Sequence, residues 1–164
     1  MHNITYKQID KAVEAAIISE FGQWIRDYGC IHHGEGCYSF AAFCADEPVG
    51  FISTFPLQYP APLQECRDAY IDVIEVREAY RRQSIASKLI EMTEAWAKAY
   101  GYRQIRSWSA DDKTEAIPMW YKLAYAVCPA VMRGESVIKE FAGKPIYGFY
   151  VAKVLNDNLV TSIK

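Results

Sequence analysis

Val76-Arg77-Glu78-Ala79-Tyr80-Arg81-Arg82-Gln83-Ser84-Ile85-Ala86-Ser87-Lys88 joins an Ile- and Val-rich run, Ala69 to Val76, to an amphipathic segment, Ile85 to Tyr100. A strand ends, a basic turn follows and a helix begins. The first-turn N–H groups of such a helix have no intrahelical partner, and with the helix dipole they make an anion site. Residues 77–88 carry Arg77, Arg81, Arg82 and Lys88 against Glu78 alone, in a chain whose net charge is -2. Ser84, Ala86 and Ser87 are small enough for a phosphate to approach the backbone. Neither GxxxxGK[ST] nor GxGxxG occurs, so this is not the loop of a nucleoside triphosphatase or a dinucleotide-binding unit. The competing reading is a solvated basic turn with Ser84 as a simple helix cap.

Working outward, Ile85, Leu89, Met92, Trp96 and Ala99 form one apolar stripe. Glu94 and Lys98 make an i,i+4 pair, and Gly101 ends the helix. Gln104 to Ser109 reads as a strand, so Ala69–Val76, the helix and this strand form a βαβ unit with parallel strands. Upstream, Ile4 to Ile9 is a strand and Asp10 caps an amphipathic helix to Tyr28, or two short ones broken near Gly22. After a loop at 29–36, Cys37–Ala45 and Val49–Phe55 form a hairpin around Asp46-Glu47-Pro48. Pro56, Pro60 and Pro62 end regular structure there. Downstream come a helix at Thr114–Leu123 with Pro118 in its first turn, and strands at Ala126–Met132 and Tyr147–Val154. This order predicts an α+β fold: a single mixed, mostly antiparallel sheet flanked by helices, one domain over 1–155 and a loose tail from Asn156.

At 164 residues the chain suits a single domain, and 51% hydrophobic with 23% charged residues excludes disorder. A net charge near zero removes the bulk electrostatic case for a nucleic-acid binder. No apolar run approaches the roughly 20 residues of a membrane span, and the first residues lack a signal peptide's apolar region, so a cytoplasmic location is expected. Five cysteines, none in a CxxC pair, read as reduced thiols. Cys30, His32, His33 and Cys37 lie close together, but their spacing matches no recognised ligand set and no metal is expected.

Arg81-Arg82-Gln83-Ser84-Ile85-Ala86 resembles the [RQ]-x-x-G-x-[GA] signature of the GNAT superfamily of acyl-CoA N-acyltransferases. Ile74 to Arg81 resembles that family's strand and turn, with Glu78 at a common proline. Ala116-Ile117-Pro118-Met119-Trp120-Tyr121-Lys122-Leu123-Ala124-Tyr125 resembles its A-I-x-x-Y-x-K-L-G-F helix ending. Three departures stand out: Ser84 for the middle glycine, Ala124 for the late glycine, and Trp120 for the tyrosine that often protonates the departing thiolate.

The resemblance implies a GNAT fold in which two parallel strands splay to hold acetyl-CoA as co-substrate. It implies that Ile74 and Val76 offer backbone groups to the pantetheine arm. Arg81, Arg82, Gln83, Ser84, Ile85, Ala86 and Ser87 would then hold the pyrophosphate. The acceptor would be a primary amine, on a small molecule or a peptide, attacking the thioester directly. Asp72 is the first candidate for its base, acting through water, with Glu75 in reserve. Strand alternation would put Asp72 on one face with Tyr70, Ile74 and Val76. Tyr121 is the candidate acid, although it lies about 100° around the helix from the family's tyrosine; Tyr125 and Tyr70 are others. A thiol of pKa about 8.5 leaves unprotonated at neutral pH for roughly 2 kcal/mol, so losing that tyrosine bears on rate more than on activity. His32 and His33 are candidate substrate contacts, and Phe55 to Pro60 a candidate acceptor wall. Nucleic-acid and membrane partners are not implied; a homodimer is compatible. The rival readings are a non-catalytic acyl-CoA-binding domain, suggested by Trp120, and an interaction module that binds no cofactor.

Overall fold

A computed structural model of the chain describes residues 3–132 and 145–155; the tail expected from Asn156 lies outside them. Among the described residues seven strands form one sheet in the order β1-β2-β3-β4-β5-β7-β6. They are β1 (Ile4–Gln8), β2 (Tyr38–Cys44), β3 (Glu47–Leu57), β4 (Asp68–Val76), β5 (Gln104–Ala110), β6 (Ala126–Met132) and β7 (Ile146–Val154). Every neighbouring pair is antiparallel except β4 and β5, the pair joined by a helix. The helices are α1 (Lys11–Phe21), α2 (Trp24–Asp27), α3 (Ile85–Tyr100) and α4 (Ile117–Lys122). Among the described residues no helix is long and apolar enough to cross a membrane, and the five cysteines are unpaired.

Each face of the sheet has its own core. Ile17, Ile18 and Ile25 of α1 and α2 pack on Ala41, Phe43 and Phe51. On the other face Ile85, Leu89, Ile90 and Ala97 of α3 meet Ile52, Ile71 and Ile105, with Trp120 of α4 alongside. The buried stripe of α3 is thus rotated from the expected one: Thr93 and Ala97 are buried and Ala99 is exposed. Glu94 pairs not with Lys98 but with Lys153 of β7, at 2.6 Å, because that flank of the helix leans on the sheet. Asp10 caps α1 as expected, its Oδ1 accepting from the N–H groups of Ala12 and Val13.

Two details of the hairpin differ from expectation. Cys44 pairs directly with Glu47, so the turn is Ala45-Asp46, with Glu47 and Pro48 inside β3. At its far end β3 runs through Pro56 to Leu57. β2 begins opposite Thr54, so beyond that residue β3 has β4 as its sheet neighbour, and a proline without an N–H is tolerated at such an edge. The helix expected at 114–123 is a 3-10 turn over 111–116 followed by α4, with Pro118 in the first turn of α4.

The closed end of the β4–β5 pair is held by a buried carboxylate. Asp68 is fully buried, and its Oδ2 accepts from Tyr59 and Gln104 (both 2.6 Å) while Arg103 and Arg106 pair with it at 3.0–3.1 Å. Burial pushes this carboxyl up, but hydrogen bonds from Arg103, Tyr59 and Gln104 outweigh that and leave it below the usual carboxylate range. The stabilisation is therefore complete above the ordinary carboxylate pKa and is lost as pH falls through the lowered one. The same contacts anchor the proline-rich excursion, through Tyr59, to the sheet.

Ser84 and Ala124, both at glycine positions of the pattern above, take left-handed backbone conformations with φ of 62° and 61°. Ser84 precedes α3, yet its side chain makes no capping bond, so it does not act as a simple cap. Ala124 closes α4, with its N–H to the Tyr121 carbonyl and the Tyr125 N–H to the Trp120 carbonyl. A non-glycine residue there costs about 1–2 kcal/mol, against 0.5–1 for glycine's extra entropy. Ser84→Gly and Ala124→Gly are each expected to stabilise by about 0.5–1 kcal/mol, read as a higher urea midpoint. Asp68→Asn is expected to cost about 3 kcal/mol at pH 7, because two arginines lose their buried partner. In urea titrations that difference should shrink as the pH drops below 4.

Candidate active site

The β4–β5 ladder stops at Ile71 and Ser107, although β4 continues to Val76 and β5 to Ala110. Ser107 Oγ donates to the Ile71 carbonyl at 2.9 Å, at the last rung. Beyond it the strands part around a cleft of about 480 Å³. A bulge marks the same place on the other edge of β4: Thr54 pairs with Ile71 and Ser53 with Val73, leaving Asp72 as the extra residue. The bulge overturns the expected alternation. Ile74 and Val76 pack with Ile71 toward α3, whereas Val73 packs toward α1, so Asp72 does not share a face with Ile74 and Val76.

One end of the cleft suits an anion. Lys88 N–H bonds the Ser84 carbonyl, which leaves the N–H groups of Ile85, Ala86 and Ser87 without a partner inside the helix. Ser84, Ile85, Ala86 and Ser87 all line the cleft, as do Arg81 and Arg82. Arg81 is anchored by a bond from its Nε to the Val76 carbonyl. Gly50 lets the helix start sit close to the sheet: a Cβ there would meet the Glu75 carbonyl at 3.0 Å and Ile85 at 3.3 Å. The other basic residues of the turn are spent elsewhere. Arg77 pairs with Glu20 and Glu47 and Lys88 with Glu91, while Gln83 bonds the Ala79 carbonyl off the cleft wall. Lys113, from the 3-10 turn, supplies a third cleft cation instead.

Three carboxylates line the cleft: Asp72, Glu75 and Glu115. Burial pushes Glu75 above the ordinary carboxylate range, against the pull of Lys113 and Arg81. It therefore belongs to the cationic end. Asp72 lies three residues back along β4, with its Oδ2 at 2.7 Å from His32 Nε2. Burial, with the charge of Asp72 adding to it, pushes the neighbouring Tyr70 phenol up to about 12 and the Cys30 thiol up to about 11.

Around α4, Trp120 lines the cleft and is 3% exposed, and its indole N–H has no partner among the described residues. Tyr121 is 61% exposed and is not on the cleft wall. Tyr125 is buried against Trp120, and burial raises its phenol far above the ordinary range. Trp108, Lys113, Glu115 and Met119 also line the cleft and were not singled out in the sequence. The signal for them is positional, since they follow the last β4–β5 rung. Trp108 has room because Gly148 crosses it, where any Cβ would overlap the indole. The Cys30, His32, His33 and Cys37 group does not converge: Cys30 is buried, His32 bonds Asp72 and His33 bonds Glu14 at 2.9 Å.

The sequence pattern of the acetyltransferase (GNAT) family matches residues 6–125. No curated protein sequence matches the chain. Among solved structures, a probable acetyltransferase from Staphylococcus epidermidis superposes with a TM-score of 0.71 at 13% identity, over 94% of this chain and 100% of that one. Arabidopsis thaliana NAA60 in complex with acetyl-CoA gives 0.68 at 17%, over 94% and 99%. The ribosomal-protein-S18-alanine N-acetyltransferase of Escherichia coli gives 0.68 at 15%, over 94% and 95%. At these identities the structural likeness speaks for the fold. The family match covers well over half of the sequence, and it includes the turn, the helix start and the α4 ending that build the cleft. The chain belongs to the GNAT acetyltransferase family.

Proposed function

We propose that the protein transfers an acetyl group from acetyl-CoA to a primary amine, on a small molecule or a peptide, by direct attack. The observation that carries this reading is a single cleft holding an anion cradle at one end and Asp72 at the other. Arg81, Arg82 and the N–H groups of residues 85–87 fit a diphosphate, and the edges of Ile74 and Val76 run from there toward Asp72. Val76 lies four steps along the strand from Asp72, about 13 Å.

Asp72 takes the proton from the incoming ammonium, through a water, so that the free amine attacks the thioester carbon. The new C–N bond forms, the C–S bond breaks and the thiolate leaves toward α4, while the nitrogen gives up its surplus proton to water. Trp120, whose indole N–H is buried, supplies that thiolate no proton. Tyr121, out on the surface, has no part in this scheme. Glu75 stays with the cations that hold the cofactor. The second reading, an acyl-CoA-binding domain without turnover, is favoured by the same Trp120, and release of free thiol with a panel of amines separates the two.

Asp72→Asn is expected to lower kcat/KM for the amine and shift its pH profile while CoA affinity stays unchanged in calorimetry; an unaltered profile retires Asp72 as base. Arg81→Ala with Arg82→Ala should weaken CoA binding by about 10-fold or more, with the loss shrinking in high salt. Trp120→Tyr is expected to raise kcat, by no more than about 30-fold, the rate equivalent of the roughly 2 kcal/mol for leaving unprotonated.

A further inference from the structure

His32 sits in the loop between α2 and β2, forty residues from Asp72, yet its ring reaches that cleft-wall carboxylate, Nε2 to Oδ2 at 2.7 Å. Its backbone is held from both sides by two buried hydroxyls. The His32 N–H donates to Ser53 Oγ (2.9 Å), Ser39 Oγ donates to the His32 carbonyl (2.7 Å), and the two hydroxyls bond each other at 2.8 Å. Ser39 and Ser53 are 5% and 0% exposed and come from facing positions on β2 and β3. The imidazole lies against the Phe55 ring, with centroids 4.6 Å apart. Backbone and ring are thus both located before any substrate arrives. Ser53 also stands where β3 meets the bulge that carries Asp72, so one pair of hydroxyls fixes the loop beside the very carboxylate that its histidine reaches.

We propose that His32 is a positioning residue for the transfer: its Nε2–H holds Asp72 Oδ2 and leaves Oδ1 turned into the cleft for the amine. This rests on Asp72 being the base. An exposed-strand carboxylate with a free rotor samples several orientations, and a charge-assisted bond to one oxygen removes that freedom. The bond has a second effect. When the imidazole gains a proton it neutralises Asp72, which then attracts an ammonium acceptor less. The acceptor therefore binds best while His32 is neutral, and the acid limb of the amine's kcat/KM belongs to the pair rather than to Asp72 alone. The other titratable groups facing the pair are Tyr70 on β4, with Tyr150 of β7 behind it, and Cys30 in the same loop. Glu14 of α1 is engaged by His33.

Three variants test this. His32→Phe keeps the ring against Phe55 and removes the donor. His32→Gln keeps a donor at the same reach and removes the titration. Asp72→Asn removes the charge being held. His32→Phe is expected to lower kcat/KM for the amine by about 10–100-fold with CoA affinity unchanged. His32→Gln should recover most of that loss while its acid limb moves away from the wild-type position. Adding His32→Phe to Asp72→Asn should cost little more, since the two act as one unit. Wild-type kinetics in His32→Phe, or losses that add in the double variant, overturn the proposal while leaving Asp72 as base. Wild-type kinetics in Asp72→Asn overturn the base assignment and this proposal together. Should His32→Phe fail to fold, the pH profile of His32→Gln decides, and an acid limb identical to wild type overturns the proposal.

Discussion

Everything functional in this molecule depends on a strand pair that is closed at one end and open at the other. β4 and β5 are hydrogen-bonded over four rungs, from Asp68–Gln104 to Ile71–Ser107, and then separate. Parallel strands left to themselves continue their ladder, because unpaired N–H and C=O groups in a covered sheet are costly. Here the closed end is pinned by the Asp68 carboxylate with its two arginines, Gln104 and Tyr59. The open end follows the bulge at Asp72, where an extra residue bends β4. The exposed backbone edges from 72 to 76 are thereby made available to a ligand.

The cleft that results is electrostatically divided. Arg81, Arg82, Lys113 and the opening turn of α3 gather at one end, and Asp72 with His32 stands at the other. A co-substrate with a phosphate tail and a reactive thioester suits that polarity, since its charged part is drawn away from Asp72, the carboxylate proposed to take the amine's proton. Glu75 sits near Lys113 and Arg81, yet its partial burial outweighs them and raises its carboxyl above the ordinary range.

Much of this architecture was legible in the chain. The start and end of α3, the parallel pair around it and the succession of seven strands along the chain all follow from periodicities and end signals, and the structure has them. The basic turn was legible as a charge excess, but not which cations face the ligand. Arg77 turned to Glu20 and Glu47, residues that local reading cannot bring near, and Lys88 lies beside Glu91, one turn on in α3. Asp72 was legible as a strand carboxylate, while its orientation was misread. A bulge adds one residue, and with a period of two that exchanges the faces of everything beyond it.

Sequence by itself determined the element order, the helix that presents its N-terminus, and the small and basic residues around it, because these depend on neighbours within a few positions. Left-handed backbone at Ser84 and Ala124 is the reverse case: neither residue asks for it, and the surrounding turns impose it. The tertiary structure alone decided that His32 meets Asp72, that Ser39 and Ser53 clamp the loop between them, and that Trp120 rather than Tyr121 faces the cleft. Those outcomes depend on register between distant strands and on the angle at which α4 packs, and both are fixed only when the two cores close on either side of the sheet.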